Sequence, residues 1–211
     1  MILKHVIESQ QFTVPMLVEL FNMADGMERI VDRGGTGDYS NRIMASLFYE
    51  HSTRTRFSFE SAMLRLGGKI LATENANQFS SLMQGETLED SVRVVANYSD
   101  VIVIRHNEVG GAARAAEVSS VPVINAGDGE VDVVYMTRLE PAERIGIEPG
   151  HFFIDESIMK HLPHKSIVMH PLPRANEISA TVDRDPRAAY FRQTRNGILV
   201  RMALLVSVLD N

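Results

Sequence analysis

Short apolar runs alternate along the chain with longer stretches in which apolar positions return every three or four residues. Period two giving way to period 3.6 is the pattern of βα units around a parallel sheet, so the expected class is α/β. Residues 47–50 read as a strand. From Arg56 to Leu66 the positions Phe59, Ala62, Met63 and Leu66 fall at i, i+3, i+4 and i+7, which makes one buried helix face. Gly67 and Gly68 end that helix as C-cap residues do, and residues 69–72 resume extended structure. Thr87 caps the next helix with Asp90 three positions on, turning Leu88, Val92, Val95 and Tyr98 inward. Residues 101–104 are apolar at every position, as a strand covered on both faces must be. An alanine-rich helix over 111–118, a strand over 121–125 and a turn over 126–129 complete the third unit.

The regularity stops at Gly129. Residues 130–136 predict another strand at once, although a crossover between parallel strands needs about 10–12 residues or more. Beyond it the pattern predicts a helix near 155–162, a strand at 167–169, an irregular stretch holding Pro171, Pro173 and Pro186, and a last helix. In that helix Ile198, Met202, Leu205 and Leu209 form a stripe, broadened by Leu199, Ala203 and Val206. A helix near 14–24 opens the chain.

Composition narrows the function. The 211 residues carry 27 acidic and 21 basic side chains, a net charge of −6, which disfavours a broad basic nucleic-acid surface. The absence of cysteine excludes disulfides, thiolate metal sites and thiol nucleophiles. No apolar run approaches the roughly 20 residues of a membrane helix, and the opening residues lack a signal h-region. The expectation is a cytoplasmic protein with small-molecule or protein partners, no nucleic acid, no membrane, no cofactor and no metal.

Chemistry concentrates at the ends of strands. His51-Ser52-Thr53-Arg54-Thr55-Arg56 lies between a strand end and a helix start, where hydroxyls, unused backbone N–H groups and guanidinium groups suit a phosphate. An ordinary Ser/Thr cap with exposed arginines is the plainer reading of the same residues. Arg105 and His106 close a second strand, Arg138 a third, and Arg174 follows a fourth. Ligands of open α/β sheets sit beyond the carboxyl ends of strands, so these arginines predict an anionic ligand with more than one acidic group.

Five blocks in order, at residues 48–59, 85–90, 125–129, 135–138 and 170–174, make the chain resemble the catalytic chain of the aspartate/ornithine carbamoyltransferase family, on its aspartate side. The resemblance runs from about residue 12 to 129 and resumes from 131 to 209. The ornithine members typically carry a cysteine where this chain has His170-Pro171-Leu172-Pro173. The resemblance implies a carbamoyl-phosphate-binding domain at 1–129 with 185–211, and a truncated aspartate-binding domain at 130–184. It also implies the reaction of carbamoyl phosphate with L-aspartate to N-carbamoyl-L-aspartate and phosphate, in pyrimidine biosynthesis, with active sites between subunits of a homotrimer. Carried over by position, Ser52, Thr53, Arg54 and Thr55 would hold the phosphate, with Arg54 stabilising its growing charge. Arg105 would bridge phosphate and carbonyl oxygens, and Arg138 would grip an aspartate carboxylate. The Pro171 and Leu172 backbone would accept bonds from the attacking amine and the carbamoyl nitrogen. Ser80 and Gln84 would reach in from the neighbouring subunit.

The chain departs from that pattern twice. Members of the family run to about 300 residues in two domains, so roughly 90 are absent, nearly all from the second domain. The missing part implies the loss of a histidine, a glutamine and an arginine of the active site. Gln84 stands where the family has a lysine, and glutamine brings no positive charge to a dianionic leaving group. The expected outcomes are an enzyme with impaired or lost turnover, a non-catalytic phosphate-binding or assembly subunit, or an internal-deletion product.

Overall fold

A computed structural model describes residues 2–73, 86–128, 154–162, 167–174 and 177–210. The chain divides into two compact units, Met1–Glu130 with Asn196–Asn211, and Val131–Arg195.

Among the described residues the first unit holds four parallel strands, β1 (Ile43–Phe48), β2 (Lys69–Thr73), β3 (Val101–His106) and β4 (Val123–Asp128), in the order β2-β1-β3-β4. Its helices are α1 (Val14–Asp32), α2 (Thr53–Arg65), α3 (Leu88–Ala96) and α4 (Gly111–Val118). The predicted α/β class is the observed one. Alternate residues of β1 and β3 feed two separate cores. Met44, Phe48, Val101 and Val103 pack with Leu20 and Ala24 of α1, Phe59 and Met63 of α2, and Met202 and Leu205. Ala45, Leu47, Ile102 and Ile104 pack on the other face with Leu88 and Val92 of α3 and Ala112 and Ala115 of α4. This two-sided burial is why β3 is apolar at four successive positions.

Several local expectations hold. The predicted face of α2 is buried at Phe59, Ala62, Met63 and Leu66. Thr87 Oγ1 accepts the Asp90 N–H at 3.2 Å. Gly67 adopts φ +90, and a Cβ there would lie 2.4 Å from the Thr36 carbonyl oxygen, so only glycine fits that turn. The last helix, here α6 (Gln193–Leu209), buries Met202, Leu205 and Leu209 as expected.

Others are corrected. β1 begins at Ile43, four residues before the predicted strand, because a buried Ser46 interrupts its apolar run. The Ser46 hydroxyl donates to Glu60 Oε1 of α2 at 3.0 Å, which satisfies a polar group in the sheet centre. Tyr98, expected to face inward, is 61% exposed because α3 is already capped at Asn97.

In the second unit α5 (Glu156–His161) forms where predicted, with Asp155 Oδ1 accepting the Ile158 N–H at 2.9 Å. Among the described residues the expected strand at 167–169 is a single bridge, Val168 to Ala188, with Val168 bonded to residues 187 and 189 and both Ile167 and Met169 exposed. A small core of Met159, Val168, Ile178, Val182 and Tyr190 holds this unit together. The strand predicted at 130–136 lies outside the described residues.

Candidate anion-binding site

The strand order fixes where a ligand belongs. β1 leads through α2 to β2 on one side, whereas β3 leads through α4 to β4 on the other, so the connections diverge between β1 and β3. Such a switch point leaves a crevice outside the carboxyl ends of the two strands. The register pairs Phe48 with Arg105, and the Tyr49 N–H donates to the Arg105 carbonyl at 2.9 Å, so residues 49–52 leave the sheet beside Arg105.

At that point a cavity of about 280 Å³ is lined by Phe48, Glu50, His51, Ser52, Thr53 and Arg56, together with Phe57. Ser52 occupies the N-cap position of α2 at φ −151, ψ 73, but its side chain makes no capping bond. That removes the plain cap reading, and leaves the hydroxyl turned away from the task its position would normally give it. The first helical bond runs from the Arg56 N–H to the Ser52 carbonyl at 2.9 Å. The N–H groups of the first turn are those a helix does not use internally, and the helix dipole adds positive potential there. Thr53 and Arg54 are exposed; Thr55 is half-buried.

Arg105 is fixed by its neighbours. Nη1 donates to the Ala126 carbonyl at 3.3 Å, and Nη2 lies 3.5 Å from Glu50 Oε2. Arg56 Nε stands 3.6 Å from Glu60 Oε1. Gly127, at φ +122, gives Arg105 its space: a Cβ there would lie 2.6 Å from Nη1. Behind the strand ends His106 is buried, its ring edge-on to Tyr49 at 4.8 Å, and Nδ1 accepts the Glu108 N–H at 3.1 Å. Burial lowers the His106 pKa, keeping the imidazole neutral, and burial followed by the Glu86 carboxylate pushes Tyr49 up to about 12.

The structure therefore brings Ser52, Thr53 and Arg105 to one sheet rim, with Arg54 and Thr55 on the first turn of the same helix. Arg56, the second guanidinium of the same motif, lines the cavity with them, and Glu50 and Gly127 join without having been singled out. Glu50 immediately precedes the motif, and Gly127 lies on β4, in a stretch expected to be a turn; pairing and clearance have no linear signature. Arg138, Ser80 and Gln84 lie outside the described residues. Pro171 and Leu172 belong to the second unit, where Leu172 adopts φ +58 and the Leu172–Pro173 peptide is cis. Arg174, one of the strand-end arginines expected to meet an anionic ligand, is instead captured within its unit. It pairs with both carboxylate oxygens of Asp183, Nη2 to Oδ2 at 2.6 Å, and donates to Tyr190 Oη at 3.2 Å.

A parallel sheet with hydroxyls, a helix N-terminus and an arginine at its switch point defines a class of small-anion-binding α/β proteins. The carbamoyl-P binding domain of the aspartate/ornithine carbamoyltransferases matches residues 4–132, and their Asp/Orn binding domain matches residues 112–208. The chain belongs to the aspartate/ornithine carbamoyltransferase family. It is 36% identical over 303 residues to the chloroplastic aspartate carbamoyltransferase of Oryza sativa subsp. japonica, covering 95% of this chain and 83% of the relative. The aspartate carbamoyltransferase catalytic subunit of Methanopyrus kandleri is 32% identical over 301 residues, covering 98% and 97%. Both alignments are longer than the 211 residues of this chain, so each contains gaps on its side. Among solved structures, aspartate transcarbamoylase of Trypanosoma cruzi in complex with carbamoyl phosphate and aspartate superposes with a TM-score of 0.84 at 29% identity, covering 98% and 96% of the two chains.

Proposed function

We propose that this chain is an aspartate carbamoyltransferase-type protein of pyrimidine biosynthesis, whose first unit binds carbamoyl phosphate and whose turnover is strongly reduced. The observation that carries the reading is Ser52, free of a capping bond at the start of α2, which follows the end of β1 that pairs in register with Arg105 on β3. The resemblance of residues 52–55 and 170–174 to the family's motifs supports the same assignment, as do the relatives' names.

In this reading Ser52, Thr53, Arg54 and Thr55 hold the phosphate, and Arg105 reaches both a phosphate oxygen and the carbonyl oxygen. The aspartate amine attacks the carbonyl carbon, a C–N bond forms, and negative charge collects on the carbonyl oxygen. The C–O bond to phosphate then breaks, and the amine's proton leaves with the phosphate. Catalysis of this kind rests on positioning and on charge stabilisation. Arg138 grips an aspartate carboxylate, while Ser80 and Gln84 act in a neighbouring subunit's pocket, which implies a homotrimer.

Gln84 and the short second unit support impaired turnover. Each missing electrostatic group costs about 2.7–4 kcal/mol at the transition state by analogy with oxyanion-hole deletions, and such losses need not add. Gln84 also favours a second reading, a non-catalytic subunit retaining the phosphate pocket. The test uses the purified full chain. Calorimetric titration with inorganic phosphate and with carbamoyl phosphate checks the pocket, and a radiolabel assay for N-carbamoyl-L-aspartate checks turnover. Binding with a low rate supports the first reading, and binding without product the second. Failure to bind either ligand refutes both. Light scattering of the eluting protein checks the trimer.

A further inference from the structure

The second unit contains a buried hydrogen-bond relay for which the reading above has no role. His170 is 6% exposed, and its ring is used at both nitrogens. Nδ1 accepts the Leu172 N–H at 2.9 Å, and Nε2 lies 2.9 Å from Glu177 Oε1. A backbone N–H can only donate, so Nδ1 is bare and Nε2 carries the proton toward the carboxylate. The tautomer is thereby set by geometry. The Gln193 side-chain amide donates to the His170 carbonyl, fixing the residue from its backbone side as well.

What this relay grips is unusual backbone. Leu172, at φ +58, is the sole residue with a side chain that takes positive φ among the described residues. A branched residue in the left-handed region persists only where its surroundings over-determine it. His170 supplies that restraint before the turn. Arg174, clamped by Asp183 and Tyr190 and lying over the Tyr190 and Phe191 rings, supplies it after the turn. Both restraints converge on the Pro171–Leu172 backbone.

We propose that His170 and Glu177 are positioning residues that hold the Pro171–Leu172 turn in the shape that receives the amine of aspartate. The inference rests on the proposed function, which gives that backbone its ligand. Glu177 fixes the tautomer, the tautomer presents a bare Nδ1 to the Leu172 N–H, and that bond sets the direction of the peptide planes on either side. Neither residue touches substrate.

Two near-isosteric substitutions separate the halves of the relay. Asparagine places an oxygen near the position of Nδ1, whereas glutamine places an N–H near Nε2 and leaves the Leu172 N–H without its acceptor. The probes are N-(phosphonacetyl)-L-aspartate, which joins a phosphonate and an aspartate in one molecule, and inorganic phosphate, which offers the phosphate chemistry alone. For the full chain carrying H170Q, calorimetry is expected to show affinity for the first compound falling about tenfold or more, the loss of one well-aligned hydrogen bond. Phosphate affinity stays within about twofold, and H170N stays close to the parent with both probes.

Hydrogen exchange supplies a readout independent of ligand. Leu172 is flanked by two prolines, which have no amide, so its exchange is resolved in a short peptide. Exchange is expected to be slow in the parent and in H170N, and faster in H170Q. Parallel loss of both probes in H170Q, with Leu172 exchange unchanged, overturns the proposal and leaves His170 a core residue only. If H170Q also unfolds the first unit, Glu177→Ala carries the test, and a selective loss for N-(phosphonacetyl)-L-aspartate is required of it. Should the parent bind phosphate but bind N-(phosphonacetyl)-L-aspartate no tighter than phosphonoacetate, the aspartate half of the proposed function fails, and the positioning role falls with it.

Discussion

Replacing Gly127 by alanine tests whether Arg105 is an anion ligand held in place by backbone clearance. The added Cβ would sit 2.6 Å from Arg105 Nη1 and 3.3 Å from Cζ, closer than ordinary contact, so the guanidinium must move. Moving it breaks the 3.3 Å bond to the Ala126 carbonyl and the 3.5 Å approach to Glu50. Because a side-chain end yields easily, the stability cost comes mainly from forcing alanine to φ +122, about 1–3 kcal/mol. The binding cost is the charge-assisted hydrogen bond to phosphate, about 1.5–3 kcal/mol, or roughly 10- to 150-fold in affinity. Gly34 is the control: it takes φ +93 with nothing within 4 Å of an added Cβ, so Gly34→Ala has the strain without touching Arg105. Thermal melts of both variants should fall together, whereas calorimetric titration with inorganic phosphate at low salt should detect a loss in Gly127→Ala alone. Equal phosphate affinity in the two variants would remove Arg105 from the site.

Further expectations follow from the same geometry. Ser52→Ala should leave the melting temperature nearly unchanged, since no capping bond is lost, while weakening phosphate binding; Thr87→Ala should cost about 1 kcal/mol and leave binding alone. Ser46→Ala leaves the Glu60 carboxylate short of a donor and should cost about 2 kcal/mol, a fall of about 4–8 °C in a calorimetric melt. The His106 pKa is lowered by burial, so its contribution to stability is present above pH 6.5 and lost as acid charges the ring; urea midpoints measured from pH 7 down to 5 should show a loss that His106→Asn abolishes. Tyr49 and Tyr190 are pushed up to about 12, so the stability tied to their neutral forms is complete below pH 10 and disappears as pH rises toward 12. An absorbance titration should show both ionising together with alkaline unfolding rather than before it.

Much of this was legible in the linear chain because it is local. The face of α2, the Thr87 cap and the glycine end of α2 depend on residues within one or two turns of each other, where 3.6-residue geometry leaves little choice. The cluster at residues 52–55 was legible for the same reason. Ser46 hid the first half of β1, since its partner Glu60 lies on a different element. Arg174 misled for a related reason: a strand-end arginine looks alike whether it meets a ligand or, as here, is claimed by Asp183 from the same unit.

The alternation of strand and helix, the two-faced burial of β3 and the residue types suited to an anion are properties this sequence determines by itself, being written in periodicity and side-chain chemistry. That Ser52 and Arg105 share one rim is decided by the order β2-β1-β3-β4, which sets β1 beside β3 and opens the crevice between them. Strand order is a contest among distant pairings, settled by which faces can be buried together, and no stretch of the chain carries that information alone. The clearance at Gly127, the Glu50 contact to Arg105 and the tautomer of His170 are likewise decided only in the folded chain, since each depends on a group brought within hydrogen-bonding reach from another segment.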